Sequence, residues 1–158
     1  MKQEEINKFL HITKDILTND NFLKLKEEPH HGDNRYNHSV RVAIKMYKII
    51  PDTDPNKEKA VRASLLHDFF YNEEMSNLTK NERYKYHPAY SIKNSINNFN
   101  IGKLEREMIR THMFPLTKDL PKNKYSHKLI FCDKTIAIKE VLKYRLLKIK
   151  EKEALEML

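Results

Sequence analysis

The stretch Leu65-Leu66-His67-Asp68 sets two strong metal-ligand types side by side after an apolar run, and Phe69, Phe70 and Tyr71 follow at once. On a regular helix neighbouring residues point about 100° apart, so His67 and Asp68 can meet one ion only near a helix end, or by serving two adjacent ions. A carboxylate and an imidazole between apolar neighbours are costly to bury unless something positive compensates them. Taken alone, the pair also fits an Asp accepting hydrogen bonds at a helix boundary beside an unrelated His. The rest of the chain changes that reading. His38 precedes the pair, and His87, His112 and Asp133 follow, each within or at the edge of a helical segment.

Residues supplied one or two per helix from five successive helices are how a helical bundle builds a metal site in its interior. Six ligands exceed one tetrahedral ion and suit two ions about 3.5–4 Å apart, with a carboxylate between them. Imidazole and carboxylate without thiolate favour iron, manganese, zinc, cobalt or nickel, and disfavour calcium or a structural cysteine-rich zinc site. The chemistry of such a pair is hydrolysis of a phosphate ester or anhydride: two cations lower the pKa of a shared water and neutralise charge on the phosphoryl oxygens. Asp68 is the candidate catalytic residue, bridging and orienting. The histidines should present neutral nitrogens, each fixed by a further acceptor. Arg35, about one turn before His38, is the first candidate to hold a substrate phosphate, and Lys134 beside Asp133 is the second. Either could instead form only a surface ion pair.

The elements that must position these groups read as helices. Ile6, Phe9, Leu10, Ile16 and Leu17 mark a first amphipathic helix over 4–17. A second runs from near Arg35 to Ile50, with Val40, Ala43, Ile44 and Tyr47 on its core stripe and His38 in its first turns. A third begins near Asn56 and delivers His67-Asp68 at its C-terminal end. Residues 72–86 are polar and charged, a loop long enough to form a lid or rim. His87-Pro88 then opens a fourth helix whose buried face is Ile92, Ile96 and Phe99. A fifth follows Gly102, carries Leu104, Met108 and His112 on one stripe, and stops at Pro115. The last segment, about 125–157, holds Leu129, Cys132, Asp133 and Ile136. Cys132 reads as a buried thiol, and the vicinal His30 and His31 as solvent-exposed loop residues. Strand-like alternation is nowhere sustained and only two glycines, Gly32 and Gly102, occur. The expected fold is therefore all-α, one helical bundle of about six to seven helices spanning 1–158.

The formal charge of +8 suits an anionic partner. Its lysines are spread evenly, without a block of like charges or a basic cluster interleaved with aromatics, so no specific nucleic-acid partner is expected. No apolar run approaches a membrane span, and the acidic N-terminal stretch with Glu4, Glu5 and Asp15 is unlike a secretory signal. With one cysteine and no need of disulfides, the expected location is the cytoplasm.

The order His38, His67-Asp68, Asp133, with the local strings Arg35-Tyr36-Asn37-His38-Ser39 and Cys132-Asp133-Lys134, resembles the HD-domain superfamily of metal-dependent phosphohydrolases over roughly residues 30–140. The added His87 and His112 look like its binuclear branch, and the spacing is similar to that of bacterial diadenosine tetraphosphate hydrolases, which are di-iron enzymes. The resemblance implies an all-helical fold, with His38, His67, Asp68 and Asp133 around one ion and Asp68, His87 and His112 around the other, iron being the best fit. It also implies a small, phosphorylated, nucleotide-like substrate. Two departures bear on the substrate. Many binuclear relatives follow the His-Asp pair with a short string ending in Lys, where this chain has Phe69-Phe70-Tyr71-Asn72-Glu73-Glu74. After His112 it reads Met113-Phe114-Pro115-Leu116-Thr117 rather than a glycine-containing string. Alternatives are a mononuclear nucleotidase using His38, His67, Asp68 and Asp133, a non-catalytic ligand sensor, and a basic nucleic-acid-binding module.

Overall fold

Short polar side chains start the helices where the sequence offers them. Asn34 caps α3 (Arg35–Ile49), its side chain accepting the Asn37 amide at 2.9 Å. Asn19 caps the four-residue α2 (Asp20–Leu23) by accepting the Phe22 amide. Thr79 and Glu82 form a reciprocal capping box at the start of α5 (Lys80–Asn98). Each cap satisfies amides that the first helical turn leaves without partners. Around these lie α1 (Gln3–Leu17), α4 (Lys57–Leu66), α6 (Lys103–Thr111) and the long α7 (Lys124–Glu156). The computed structural model describes the backbone of residues 1–156 and the side chains of residues 1–149. Residue 157, expected at the end of the last helix, lies outside the described residues.

The fold is all-α apart from one hairpin of two-residue strands, β1 (Pro29–His30) and β2 (Asp33–Asn34). Its turn residues, His31 and Gly32, both have positive φ, 46° and 84°, the geometry that matches the twist of paired strands. Gly32 is required twice over. A Cβ there would lie 2.3 Å from the Tyr144 ring of α7.

α4 is the centre of the bundle. It packs against α1, α3 and α6, and its Ala60, Val61, Ala63, Leu65 and Leu66 are buried together with Phe69 just beyond it. Burying a large apolar side chain contributes roughly 1.5–3 kcal/mol, so the apolar residues on both sides of His67-Asp68 fix that dipeptide in the interior. The core continues through Ile16, Phe22, Leu25, Met46, Met108, Ile109 and Leu129.

Two expectations about α5 need correction. The helix begins at Lys80, so His87 lies in its middle and not at its start, and Pro88 is inside the helix. The capping box at Thr79 outweighs the preference of proline for a first turn, although Pro88 removes one backbone donor. The intervening loop is correspondingly shorter than 72–86, and a single 3-10 turn at Glu73–Met75 interrupts it. The buried face of α5 is also polar: His87, Ser91, Asn94 and Ser95 are buried, whereas Ile96 is half exposed.

Candidate metal centre

α4 unwinds at Leu66, and His67 sits at its C-cap. The Phe69 amide donates to the Leu66 carbonyl at 3.1 Å and the Phe70 amide to the Asp68 carbonyl at 2.9 Å. This irregular turn frees the adjacent His and Asp from the angular separation of a helix. The turn is held by other elements: the Arg35 guanidinium donates to the Phe70 carbonyl at 2.8 Å, and the Asn94 amide to the Phe69 carbonyl at 3.1 Å.

The side chains of His38 (α3), His67 and Asp68 (end of α4), His87 (α5), His112 (end of α6) and Asp133 (α7) come together in one buried cluster. Their ligand atoms fall into three overlapping groups, His38-His67-Asp68, His67-His112-Asp133 and Asp68-His87-His112, with atoms in each group within 4.8 Å of one another. Asp68 Oδ1 lies 3.3 Å from His87 Nε2 and 3.5 Å from His112 Nε2, while its Oδ2 lies 3.6 Å from His67 Nε2. Asp133 Oδ1 is 3.1 Å from His38 Nε2 and 3.7 Å from His67 Nε2.

The proton positions follow from the partners on the opposite side of each ring. Nδ1 of His67 faces the Ser64 carbonyl at 2.8 Å, Nδ1 of His87 the Arg83 carbonyl at 3.0 Å, and Nδ1 of His112 the Ile109 carbonyl at 2.7 Å. A carbonyl only accepts, so each Nδ1 carries the proton and each Nε2 turns its lone pair inward. His87 Nε2 and His112 Nε2 then face one another at 3.0 Å, two lone pairs at hydrogen-bond distance. A proton between them is opposed at His112, whose pKa is lowered chiefly by burial. His67 Nε2 and Asp68 Oδ1 are buried without any hydrogen-bond partner. Inward lone pairs, orphaned acceptors and two carboxylates make a donor set that fits divalent cations.

His38 has a different support. Its Nδ1–H donates to Glu140 Oε2 at 2.8 Å, and Arg41 donates to Glu140 Oε1 at 2.7 Å and also pairs with Asp33. Burial pulls the His38 pKa down, but Asp133 and Glu140 outweigh it and raise it to about 10. Burial pushes the Asp133 carboxyl up, yet the hydrogen bond from His38, whose protonated form it favours in turn, outweighs burial and holds it well below the usual carboxylate range. Glu140 was not anticipated, although it lies seven residues after Asp133 and hence two turns along the same face of α7. His30 was expected in solvent; the hairpin instead sets it against His38, ring centroids 4.3 Å apart and the rings tilted, half-buried, and burial lowers its pKa to about 3. His31 is exposed, and Cys132 is a buried thiol pushed up to about 11 by burial.

Arg35 is not the surface ion pair weighed for it. It is buried, stacked on Phe70 at 3.7 Å, and its terminal nitrogens donate to Glu28, the Phe70 carbonyl and Asn72. Its guanidinium organises the turn after Asp68, while its Nε is left without a partner and the side chain lines the cavity over the cluster. Lys134 lines the cavity that opens over the cluster, a space of about 480 Å³.

Comparison with known protein families matches residues 35–152 to the HD domain. The chain belongs to the HD domain family. HD domains are typical of metal-dependent hydrolases, and the clustered His and Asp side chains suit divalent-metal binding. No match to the chain was found among curated proteins or among solved structures. Among the described residues, no helix is long and apolar enough to cross a membrane.

Proposed function

We propose that this HD domain hydrolyses a phosphoester or phosphoanhydride bond of a small, nucleotide-like substrate, using two divalent transition-metal ions. Iron suits the imidazole-carboxylate donor set best, with manganese, cobalt, nickel and zinc as substitutes. The observation that carries the reading is the set of Nε2 atoms turned inward around Asp68, each of these rings having its Nδ1 on a backbone carbonyl. Bound ions would supply hydroxide near neutral pH and neutralise the phosphoryl oxygens. In the reaction a water oxygen joins phosphorus, the bond to the leaving oxygen breaks, and the water's protons end on solvent and the leaving group. His38, His67, Asp68 and Asp133 would hold one ion, and Asp68, His87 and His112 the other, Asp68 being common to both sets. The order of these ligands, similar to that of bacterial diadenosine tetraphosphate hydrolases, supports the two-ion form. The +8 charge would draw an anion to the cavity.

The test is turnover of mono-, di- and triphosphates, dinucleoside polyphosphates and cyclic dinucleotides by protein loaded with each metal in turn. We expect release of phosphate or nucleotide from at least one of them, and Asp68→Ala to reduce it more than any other single change, by at least about 10³-fold. Uniform inactivity of metal-loaded protein would overturn the enzymatic reading in favour of a ligand sensor.

A further inference from the structure

The cavity over the metal ligands has a second half that the hydrolytic chemistry leaves unused. Among the described residues, Asp68 and Asp133 are the only acidic side chains lining it, and both belong to the candidate metal centre. The rest of the lining carries the opposite charge. Lys80 and Arg83 come from the first turns of α5 and Lys134 from α7, and all three line this cavity. Among the described residues none of these three forms an ion pair. Arg83 is nevertheless held in place: its Nε donates to the Leu78 carbonyl at 3.0 Å and its Nη2 to the Ser76 carbonyl at 3.4 Å. Carbonyl partners orient the guanidinium and leave its charge unneutralised, which is what an anion-binding group needs. Beside it, Tyr84 lines the same cavity with 46% of its surface exposed. An aromatic ring left open in a concave site offers a flat face for stacking.

Resting on the phosphohydrolase reading, we propose that Lys80, Arg83 and Tyr84 form a recognition subsite for the part of the substrate remote from the scissile phosphorus. Lys80 and Arg83 hold a further anionic group, and Tyr84 stacks on a planar ring. The substrate class this selects has at least two phosphoryl groups and one aromatic base, and a simple phosphomonoester leaves the subsite empty.

Binding of two inert probes separates the parts. Titration calorimetry of the Mn(II)-loaded protein uses α,β-methylene-ADP, which has ring and phosphonate chain, and methylenediphosphonate, which has the chain alone. Tyr84→Ala should weaken α,β-methylene-ADP about tenfold while changing methylenediphosphonate less than about twofold, and Tyr84→Phe should restore the loss. Arg83→Gln should weaken both probes about tenfold, with Arg83→Lys recovering part of it, and Lys80→Ala should weaken both in the same sense. Metal content equal to that of the parent shows that each variant keeps its centre. Equal effects of Tyr84→Ala on both probes, or no effect of Arg83→Gln on either, would overturn the subsite. Because the readout is affinity for inert probes, the expected pattern in a protein that hydrolyses nothing would uphold the subsite while removing the enzymatic reading. Turnover without the pattern would do the reverse.

Discussion

At the scale of single residues, tautomer control decides what the centre can bind. Three histidines reach backbone carbonyls through Nδ1, and His38 alone depends on a carboxylate, Glu140, which Arg41 holds from its other oxygen. Replacing Glu140 with Gln keeps the size but removes the charge that orients and enriches the His38 ring. Loss of such a supporting partner typically costs about 10–100-fold in metal affinity. Competition with a chelator should show a fall of that size for Glu140→Gln; an unchanged affinity would mean that Glu140 serves the fold alone. That these six side chains belong to one cluster was legible in the sequence because few other roles place His-Asp adjacency and isolated His or Asp on successive apolar stripes. Glu140 was not, since a Glu among the lysines of α7 reads as a solvated side chain until the helix is seen against α3. Arg35 shows the converse: its position one turn before His38 pointed to substrate, and only the packed structure shows Glu28, Asn72 and the Phe70 carbonyl taking its terminal donors.

At the scale of elements, helix existence was read correctly and helix starts less so. Apolar periodicity carried α1, α3, α4, α6 and α7, whereas the polar buried face of α5 hid its first two turns. Junctions between helices rest on local polar contacts that can be tested. Asp54, in the turn between α3 and α4, accepts from the Tyr125 hydroxyl at 2.6 Å and from Lys124 at 3.0 Å, both at the start of α7. The Tyr125 hydrogen bond is the chief cause holding the Asp54 carboxyl at about 2, below its ordinary 3.8. A carboxyl depressed in the folded state stabilises it fully above the unfolded value, and that contribution fades as pH falls through the folded one. Tyr125→Phe should therefore be less stable than the parent at pH 6, with the difference shrinking as pH drops from about 4 to about 2. Urea unfolding across that range is the measurement, and a deficit independent of pH would assign Tyr125 to packing alone.

For the whole molecule, charge and cavity must be weighed together. A net charge of +8 guarantees some attraction to polyanions, but the lysines form a diffuse field without elements that read bases. Binding to DNA or RNA should be weak, indifferent to sequence and steeply reduced by salt; sequence-selective binding at physiological salt would favour the nucleic-acid-binding module. The centre lies in the interior of the bundle, at the meeting point of five helices and at the floor of a cavity of about 480 Å³, a size for small ligands. The account therefore stands or falls on what the buried imidazoles and carboxylates hold. The deciding measurement is the number of divalent ions retained per chain after anaerobic loading with Fe(II) or Mn(II) and removal of the excess. About two are predicted for the parent, with His87→Ala and His112→Ala each retaining about one. Saturation of the parent at a single equivalent would contradict the two-ion arrangement, and retention below about a tenth of an equivalent with every metal offered would contradict the metal centre itself.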